Sequence, residues 1–275
     1  MSNEMQDTVH RIEEQGCSVE VGAMRLRLIK HVMHAPVDKK ADYVLMTGCH
    51  HVFRVFPLRA VLDLLEICGL NYTLLSREYC CTHSLHEHDD MPTAEQMKLM
   101  QQYTPDFLGR NLEKARELGA KTIITYCANC CIHYKVFSPD SGLPIVYWTD
   151  VVSRHMKEKL GDLGVHFDFY EGCHREQNAL LPGVIDPAQS KYLLNLLGGI
   201  SYEEIPPFCC KRQPEKIFAA MKTKTLVIPT PCCFGRLSNL GPPEGVRIRL
   251  LAELLRDAYI AAKGSRVSAG HSQLH

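Results

Sequence analysis

Eleven of the thirteen cysteines fall into two successive sets that share one order. Each set begins with a single cysteine, continues with an adjacent Cys-Cys pair and closes with a cysteine cluster. The first set is Cys49, Cys80, Cys81, Cys127, Cys130 and Cys131, and the second is Cys173, Cys209, Cys210, Cys232 and Cys233. Thiolates gathered in this way are ligands for soft metal centres. The spacing therefore predicts an iron–sulfur protein built from a duplicated unit.

A disulfide-rich secreted protein is an alternative explanation for so many cysteines. Adjacent cysteines bridge each other only with strain, and a chain of 275 residues has enough core to fold without disulfides. The first residues are polar and acidic and lack the basic-then-apolar pattern of a signal peptide. We therefore expect a cytoplasmic protein whose clustered thiols are metal or redox sites.

Charge and hydropathy exclude two classes of partner. The chain carries 31 basic and 31 acidic residues, so it has no electrostatic footprint for nucleic acid or an anionic membrane. Its longest apolar runs, such as residues 43–46 and 225–228, are far too short to span a bilayer. We expect neither a nucleic-acid partner nor a membrane span.

Strands and helices alternate in the same order in both halves of the chain. In the first half the predicted strands cover residues 43–47, 71–76 and 122–126, and in the second half they cover residues 166–170, 200–205 and 225–228. The helices between them carry ordinary start and stop signals, such as Asp186-Pro187 at one start and Gly69 at one end. Each half closes with a short extended segment and a helix.

This alternation predicts an α/β fold of two pseudo-repeated cysteine-rich domains, each a small, mostly parallel sheet with flanking helices. The domains are predicted at residues 42–160 and 161–262, with a helical extension at 1–41 and a disordered tail at 263–275. The carboxyl ends of parallel strands form the functional edge of such sheets. Because most clustered cysteines lie at or just beyond strand ends, we expect the cluster sites at that edge.

The repeated order of Cys, Cys-Cys and Cys-x-x-Cys resembles the cysteine-rich CCG domain. That domain occurs in tandem in the disulfide-cleaving chain of heterodisulfide reductase, in similar chains of sulfur-oxidising bacteria, and in iron–sulfur subunits of lactate and glycolate oxidation. The resemblance covers roughly residues 42–262, and residues 172–174 (Gly-Cys-His) and 143–149 also look like stretches of that family. The glycine that follows each Cys pair in the family is replaced by Thr82 and Lys211.

The resemblance implies a non-cubane four-iron cluster on five cysteines in the first domain. Carried over by position, its ligands are Cys49, Cys80, Cys81, Cys127 and Cys130, with Cys131 as an extra thiol. These five would be catalytic through the bound cluster.

The second set departs from the family pattern. Counting back from the final helix places Pro229 where the first half has Cys127, whereas Thr230 takes that place if Cys233 is the last ligand. Cys210 and Cys232 are separated by only 21 residues, against 45 between Cys81 and Cys127. The candidate ligands of this site are Cys173, Cys209, Cys210, Cys232 and Cys233. The site is expected to hold a cluster or zinc, or to stay empty.

By this resemblance the chain is expected to be the CCG-domain iron–sulfur subunit of a heterodisulfide reductase-like complex. It would act on a small thiol or disulfide, or on sulfane sulfur presented by a carrier protein. Its partners in the complex would be a flavoprotein and a ferredoxin-like iron–sulfur subunit. The alternatives are an electron-transfer subunit of a lactate- or glycolate-oxidising complex and a zinc-binding scaffold.

Two cysteines lie outside the repeated sets. Cys68 falls on the apolar stripe of a predicted helix and is interpreted as a core thiol. Cys17 precedes both repeats and is interpreted as structural. His50, His51 and His174 flank candidate ligands, where tuning of a cluster and ordinary packing are equally expected.

Overall fold

The computed structural model describes residues 3–20, 24–86, 92–172 and 184–271. Within these residues the chain divides into two compact units. The first contains the chain up to Trp148 together with Val184 and Ile185, and the second contains residues 149–172 and the chain from Asp186 onward. Cys173 and His174, which the sequence predicts to belong to the second site, lie outside the described residues.

Helices surround the strands of the first unit. Its helices are α1 (Asn3–Gln15), α2 (Met24–Arg27), α3 (Val55–Ile67), α4 (Ala94–Glu117) and α5 (Ala128–Phe137). Short π and 3-10 turns occupy Leu28–Val32, His51–Phe53 and His83–His86. The strands are β1 (Tyr43–Met46), β2 (Tyr72–Leu74), β3 (Thr122–Thr125) and β4 (Ile145–Tyr147).

The four strands form a parallel sheet in the order β2-β1-β3-β4. Val44, Leu45 and Met46 are fully buried, which is expected of a strand covered by helices on both faces. Thr93 is the N-cap residue of α4. Its side chain accepts a hydrogen bond from Gln96 N, and the Gln96 side chain accepts one from Thr93 N.

The second unit repeats this plan. Its helices are α6 (Trp148–His155), α7 (Pro187–Leu196), α8 (Pro214–Ala219), α9 (Pro231–Asn239) and α10 (Leu251–His271), of which α6 begins one residue before the unit does. Its strands are β5 (Asp162–Phe169), β6 (Gly198–Glu204), β7 (Thr225–Ile228) and β8 (Arg247–Leu250). They form a parallel sheet in the order β6-β5-β7-β8, which is the order of the first sheet with each strand replaced by its counterpart.

The α/β class and the two parallel sheets confirm the coarse fold predicted from the sequence. Asp186 caps α7 by accepting from Ala188 N at 2.9 Å, as its position before Pro187 predicts. The final helix, α10, extends to His271. Among the described residues, no helix is both long and apolar enough to cross a membrane.

We predict that Gly161→Ala destabilises the second unit. A Cβ at this position would lie 2.7 Å from Ala258 O and from Ala262 N in α10, and neither backbone atom can move without shifting the helix. Overpacking of this kind costs about 1–3 kcal/mol. Gly109→Ala is the matched control, because nothing lies within 4 Å of its Cβ in the middle of α4. It should stabilise by about 0.5–1 kcal/mol.

Urea unfolding and hydrogen exchange of α10 check this pair. Faster exchange in α10 and a lower urea midpoint are expected for Gly161→Ala only. Equal midpoints for the two variants would contradict the close packing of Gly161 on α10.

Candidate metal centre

The first site lies at the carboxyl edge of the first sheet. Cys49 follows β1 by three residues, Cys127 stands between β3 and α5 as the N-cap residue, and Cys130 lies in the first turn of α5. Cys80 and Cys81 are reached through the loop that follows β2. Cys49 is partly exposed and the other four thiols are buried. The edge predicted from parallel topology is therefore where the first set assembles.

The five predicted ligands form a series of neighbouring thiols, two pairs of which are in direct sulfur contact. The sulfur atoms of Cys49 and Cys80 are 3.2 Å apart, and those of Cys81 and Cys130 are 3.4 Å apart. Side-chain hydrogen bonds also link Cys80 to Cys81 and Cys130 to Cys127. The order of contact is thus 49, 80, 81, 130, 127.

Acidity alternates along this series. Hydrogen bonds from Cys130 and then from Cys80 lower the pKa of Cys81, and a hydrogen bond from Cys130 lowers the pKa of Cys127 to about 5. Cys80 and Cys130 donate these bonds, so their own pKa values are raised. Hydrogen bonds from Cys17 and Cys80 lower the pKa of Cys49. Three of the five predicted ligands therefore favour the thiolate form, which is the form that binds metals.

A buried ion pair holds the two loops that carry Cys49 and Cys80. Glu78, 5% exposed, lies 2.7 Å from the guanidinium of Arg25, which is 6% exposed. The same carboxylate accepts from Thr47 N at 2.9 Å and from Gly48 N at 2.7 Å. Arg25 also donates to Thr47 Oγ1 and to Leu75 O. The Glu78 carboxylate thus holds the backbone just before Cys49, and Glu78 itself lies two residues before Cys80 in the sequence.

Gly48 is required at this point for two reasons. Its φ is +78°, and a Cβ there would lie 3.2 Å from Cys127 Cβ and 3.3 Å from Cys130 Sγ. The absence of a side chain lets the Cys49 loop approach the cysteines at the start of α5.

Asn111 of α4 holds the backbone just before the Cys pair. Its amide accepts from Tyr79 N at 2.7 Å and donates to Tyr79 O at 2.8 Å. The same amide donates to Tyr134 Oη at 2.9 Å and so joins the loop to α5.

Thr82 keeps a conformation that glycine would adopt more easily. Its φ is +61°, in the left-handed region, although it is β-branched and fully buried. A 2.5 Å hydrogen bond joins its hydroxyl to that of Thr104 in α4. Thr82 therefore holds a backbone conformation that glycine adopts without steric cost, at a strain cost of about 1–3 kcal/mol.

Two histidines lie against the thiols. His133 donates from Nδ1 to Cys81 O at 2.6 Å, and its charge helps to lower the pKa of Cys81. His51 forms a side-chain hydrogen bond with Cys127 and packs edge-on against Tyr126. The sequence indicated His51 as a flanking residue but not His133, which lies three residues after Cys130 on the same face of α5.

Cys17 and Ser18 also reach this site, which the sequence did not indicate. Cys17 Sγ lies 3.6 Å from Cys49 O, and Ser18 Oγ lies 3.4 Å from Cys49 Sγ and 3.1 Å from His50 Nε2. Cys68 caps the end of α3, where burial raises its pKa to about 11.

In the second unit the helix that carries the cysteines starts in the same register after its strand, but its N-cap residue is not a cysteine. The N-cap residue follows the end of the strand by two positions in both units, and it is Cys127 after β3 and Thr230 after β7. Cys233 then corresponds to Cys130. Of the two registers left open by the sequence, the structure supports the one that makes Thr230 the counterpart of Cys127.

The contact between the paired cysteine and the helix cysteine is also repeated. Cys210 Sγ lies 3.5 Å from Cys233 Sγ, close to the 3.4 Å between Cys81 and Cys130. Cys209 is buried and Cys232 is partly exposed. Thr230 donates its hydroxyl to Glu171 O at 2.7 Å, so it ties the strand ends together as a neutral group. Lys211 does not share the positive φ of Thr82.

The donor set of the first site fits a thiolate-held cluster in its chemistry, with five sulfur atoms gathered and three of them favouring the thiolate. Among the described residues, no group of three or more His, Cys, Asp or Glu side chains could hold one metal ion.

Comparisons with known proteins add little to this geometry. A scan against protein-family models finds no match, and a search of curated proteins finds none either. One similar solved structure is a crystal structure from Yersinia pestis, provisionally described as an Asp/Glu racemase. The matched region covers 82% of this chain and 99% of the Yersinia pestis chain, with 13% sequence identity and a TM-score of 0.39. A similarity at that level carries no conclusion about fold or activity.

We predict that Glu78→Gln strongly destabilises the first unit. The change leaves the Arg25 guanidinium buried without its counter-charge, and breaking a buried pair in this way costs about 3–5 kcal/mol. Glu117→Gln is the control, because its pair with Lys114 is exposed to solvent and should contribute little to stability. Thermal unfolding measured by circular dichroism separates the two. A Glu78→Gln protein as stable as Glu117→Gln would contradict the role given to the ion pair.

Proposed function

We propose that this chain is the CCG-domain iron–sulfur subunit of a heterodisulfide reductase-like complex, with its working centre in the first unit. The observation that carries the proposal is the gathering of the five cysteines at the carboxyl edge of the first sheet, with sulfur contacts between Cys49 and Cys80 and between Cys81 and Cys130. These are the five positions that the resemblance to CCG domains implies as cluster ligands.

The surroundings of the five thiols support a redox centre. Burial of Cys80, Cys81, Cys127 and Cys130 limits solvent access, which is one of the properties that set the potential of a cluster. His51 and His133 add polar contacts beside the thiols. When bound, a cluster would supply single electrons and a site for sulfur.

The substrate we propose is a small thiol or disulfide, or sulfane sulfur on a carrier protein. Cys49, the partly exposed member of the set, marks the side from which such a substrate would approach. The proposed partners are a flavoprotein and a ferredoxin-like iron–sulfur subunit. Both are needed because neither a ferredoxin-type cysteine run nor a Gly-x-Gly-x-x-Gly fingerprint occurs in the sequence.

Iron content after purification without oxygen tests this proposal. We expect about four iron atoms per chain, the number in one four-iron cluster. We expect most of this iron to be lost in Cys127→Ser and retained in the control Cys68→Ser. Zinc without iron would overturn the proposal in favour of the scaffold. Full iron with turnover of lactate or glycolate, and none of a disulfide or persulfide, would favour the hydroxy-acid complex.

A gain-of-function variant tests the assignment of the second site. Thr230→Cys restores the thiol that the first unit has at the equivalent position, Cys127. If its absence is what prevents a second cluster, iron should rise from about four to about eight atoms per chain. Pro229→Cys is the matched control for the other register and should leave the iron content unchanged. A rise in Pro229→Cys alone would overturn the register.

A further inference from the structure

Cys17 brings a sixth sulfur to the first site from outside the repeated cysteine sets. It lies just beyond the end of α1 and is 5% exposed, and its thiol interacts with the Cys49 side chain, which raises the pKa of Cys17. The same sulfur is 3.6 Å from Cys49 O. The series of thiols thus begins at Cys17 and continues through Cys49.

The turn that carries Cys17 is built onto the segment that carries Cys80. Gly16 O accepts from Cys80 N at 2.8 Å, and the φ of Gly16 is +76°. A Cβ on Gly16 would lie 2.7 Å from Glu78 O. Arg77 donates to Glu13 O at 2.5 Å and Glu14 O at 2.7 Å, which holds the end of α1 against the same segment. Cys17 therefore occupies a position defined by the fold.

Stability alone does not account for a thiol here. A thiol is a weak hydrogen-bond donor, and a buried cysteine otherwise packs as a small apolar side chain. Ser18 already supplies Cys49 Sγ with a polar contact at 3.4 Å. A second sulfur directed at the exposed end of the cysteine series adds little to packing but adds a metal ligand.

We propose that Cys17 is a sixth sulfur ligand of the centre in the first unit, bound beside Cys49. The inference rests on the proposed function, since it requires a cluster in that unit. On binding, the Cys17 thiol releases its proton to solvent, as coordinating thiols do. The N-terminal segment then completes a centre whose other ligands come from the repeat.

The test compares wild type, Cys17→Ser and Cys68→Ser, each purified without oxygen. Wild-type iron content comes first, because a wild type without iron overturns the proposed function rather than the assignment of Cys17. With iron present, we expect a changed EPR spectrum and roughly tenfold faster iron loss to a chelator for Cys17→Ser, since metal ligands and their supports typically contribute about 10–100-fold in affinity. Cys68→Ser should match wild type. An unchanged spectrum and unchanged iron loss in Cys17→Ser would overturn the assignment.

Two further measurements separate ligation from a loosened loop. Ser18→Ala removes the neighbouring contact to Cys49 Sγ and should accelerate iron loss to the chelator much less than Cys17→Ser does, whereas equal acceleration in the two variants would overturn ligation. Alkylation of wild-type protein needs no variant that must fold. Cys17 should be protected while iron is bound and become reactive when it is removed. Equal labelling before and after iron removal, or a Cys17–Cys49 disulfide in the iron-loaded protein, would overturn the proposal.

Discussion

The buried pair of Arg25 and Glu78 is the interaction on which the first site depends. A carboxylate so little exposed needs both a counter-charge and hydrogen-bond donors, because an unpaired buried charge is very costly. Glu78 obtains the charge from Arg25 and the donors from Thr47 and Gly48. Because Gly48 adjoins Cys49 and Glu78 lies two residues before Cys80, meeting that requirement brings the two cysteine loops together. The 3.2 Å sulfur contact between Cys49 and Cys80 follows from this arrangement.

Crowded thiols impose a second constraint, which explains their alternating acidity. Sulfur atoms within hydrogen-bond distance cannot all be thiolates, because like charges repel in a buried site. They cannot all be equivalent thiols either, because each shared proton must lie on one partner. The pKa values of Cys80 and Cys130 are raised, so these two keep their protons, whereas the pKa values of Cys49, Cys81 and Cys127 are lowered, so these three act as acceptors. A bound metal removes this constraint by replacing the protons with a positive centre.

Sequence periodicity predicted what depends on local pattern, namely the α/β class, the repeated strand order and the position of the first cysteine set. It could not reveal contacts between distant residues with no repeated pattern. Arg25 lies 53 residues before Glu78 in a segment without a motif, and Cys17 looks like an isolated core thiol until the fold places it beside Cys49. The positive φ of Thr82, +61°, was equally hidden, because nothing in the sequence marks a β-branched residue for the left-handed region.

The two units show how one position can change a site while the fold stays the same. Strand order, N-cap position and the contact between the paired and helix cysteines are all repeated. What differs is the N-cap side chain, where Thr230 donates a hydroxyl to Glu171 O and Cys127 presents a sulfur to Cys130. A hydroxyl can fulfil the structural role of joining strand ends, but it is a poor ligand for a soft metal. Replacing cysteine by threonine at the N-cap therefore leaves the backbone of the unit unchanged, but it removes one sulfur ligand from the site.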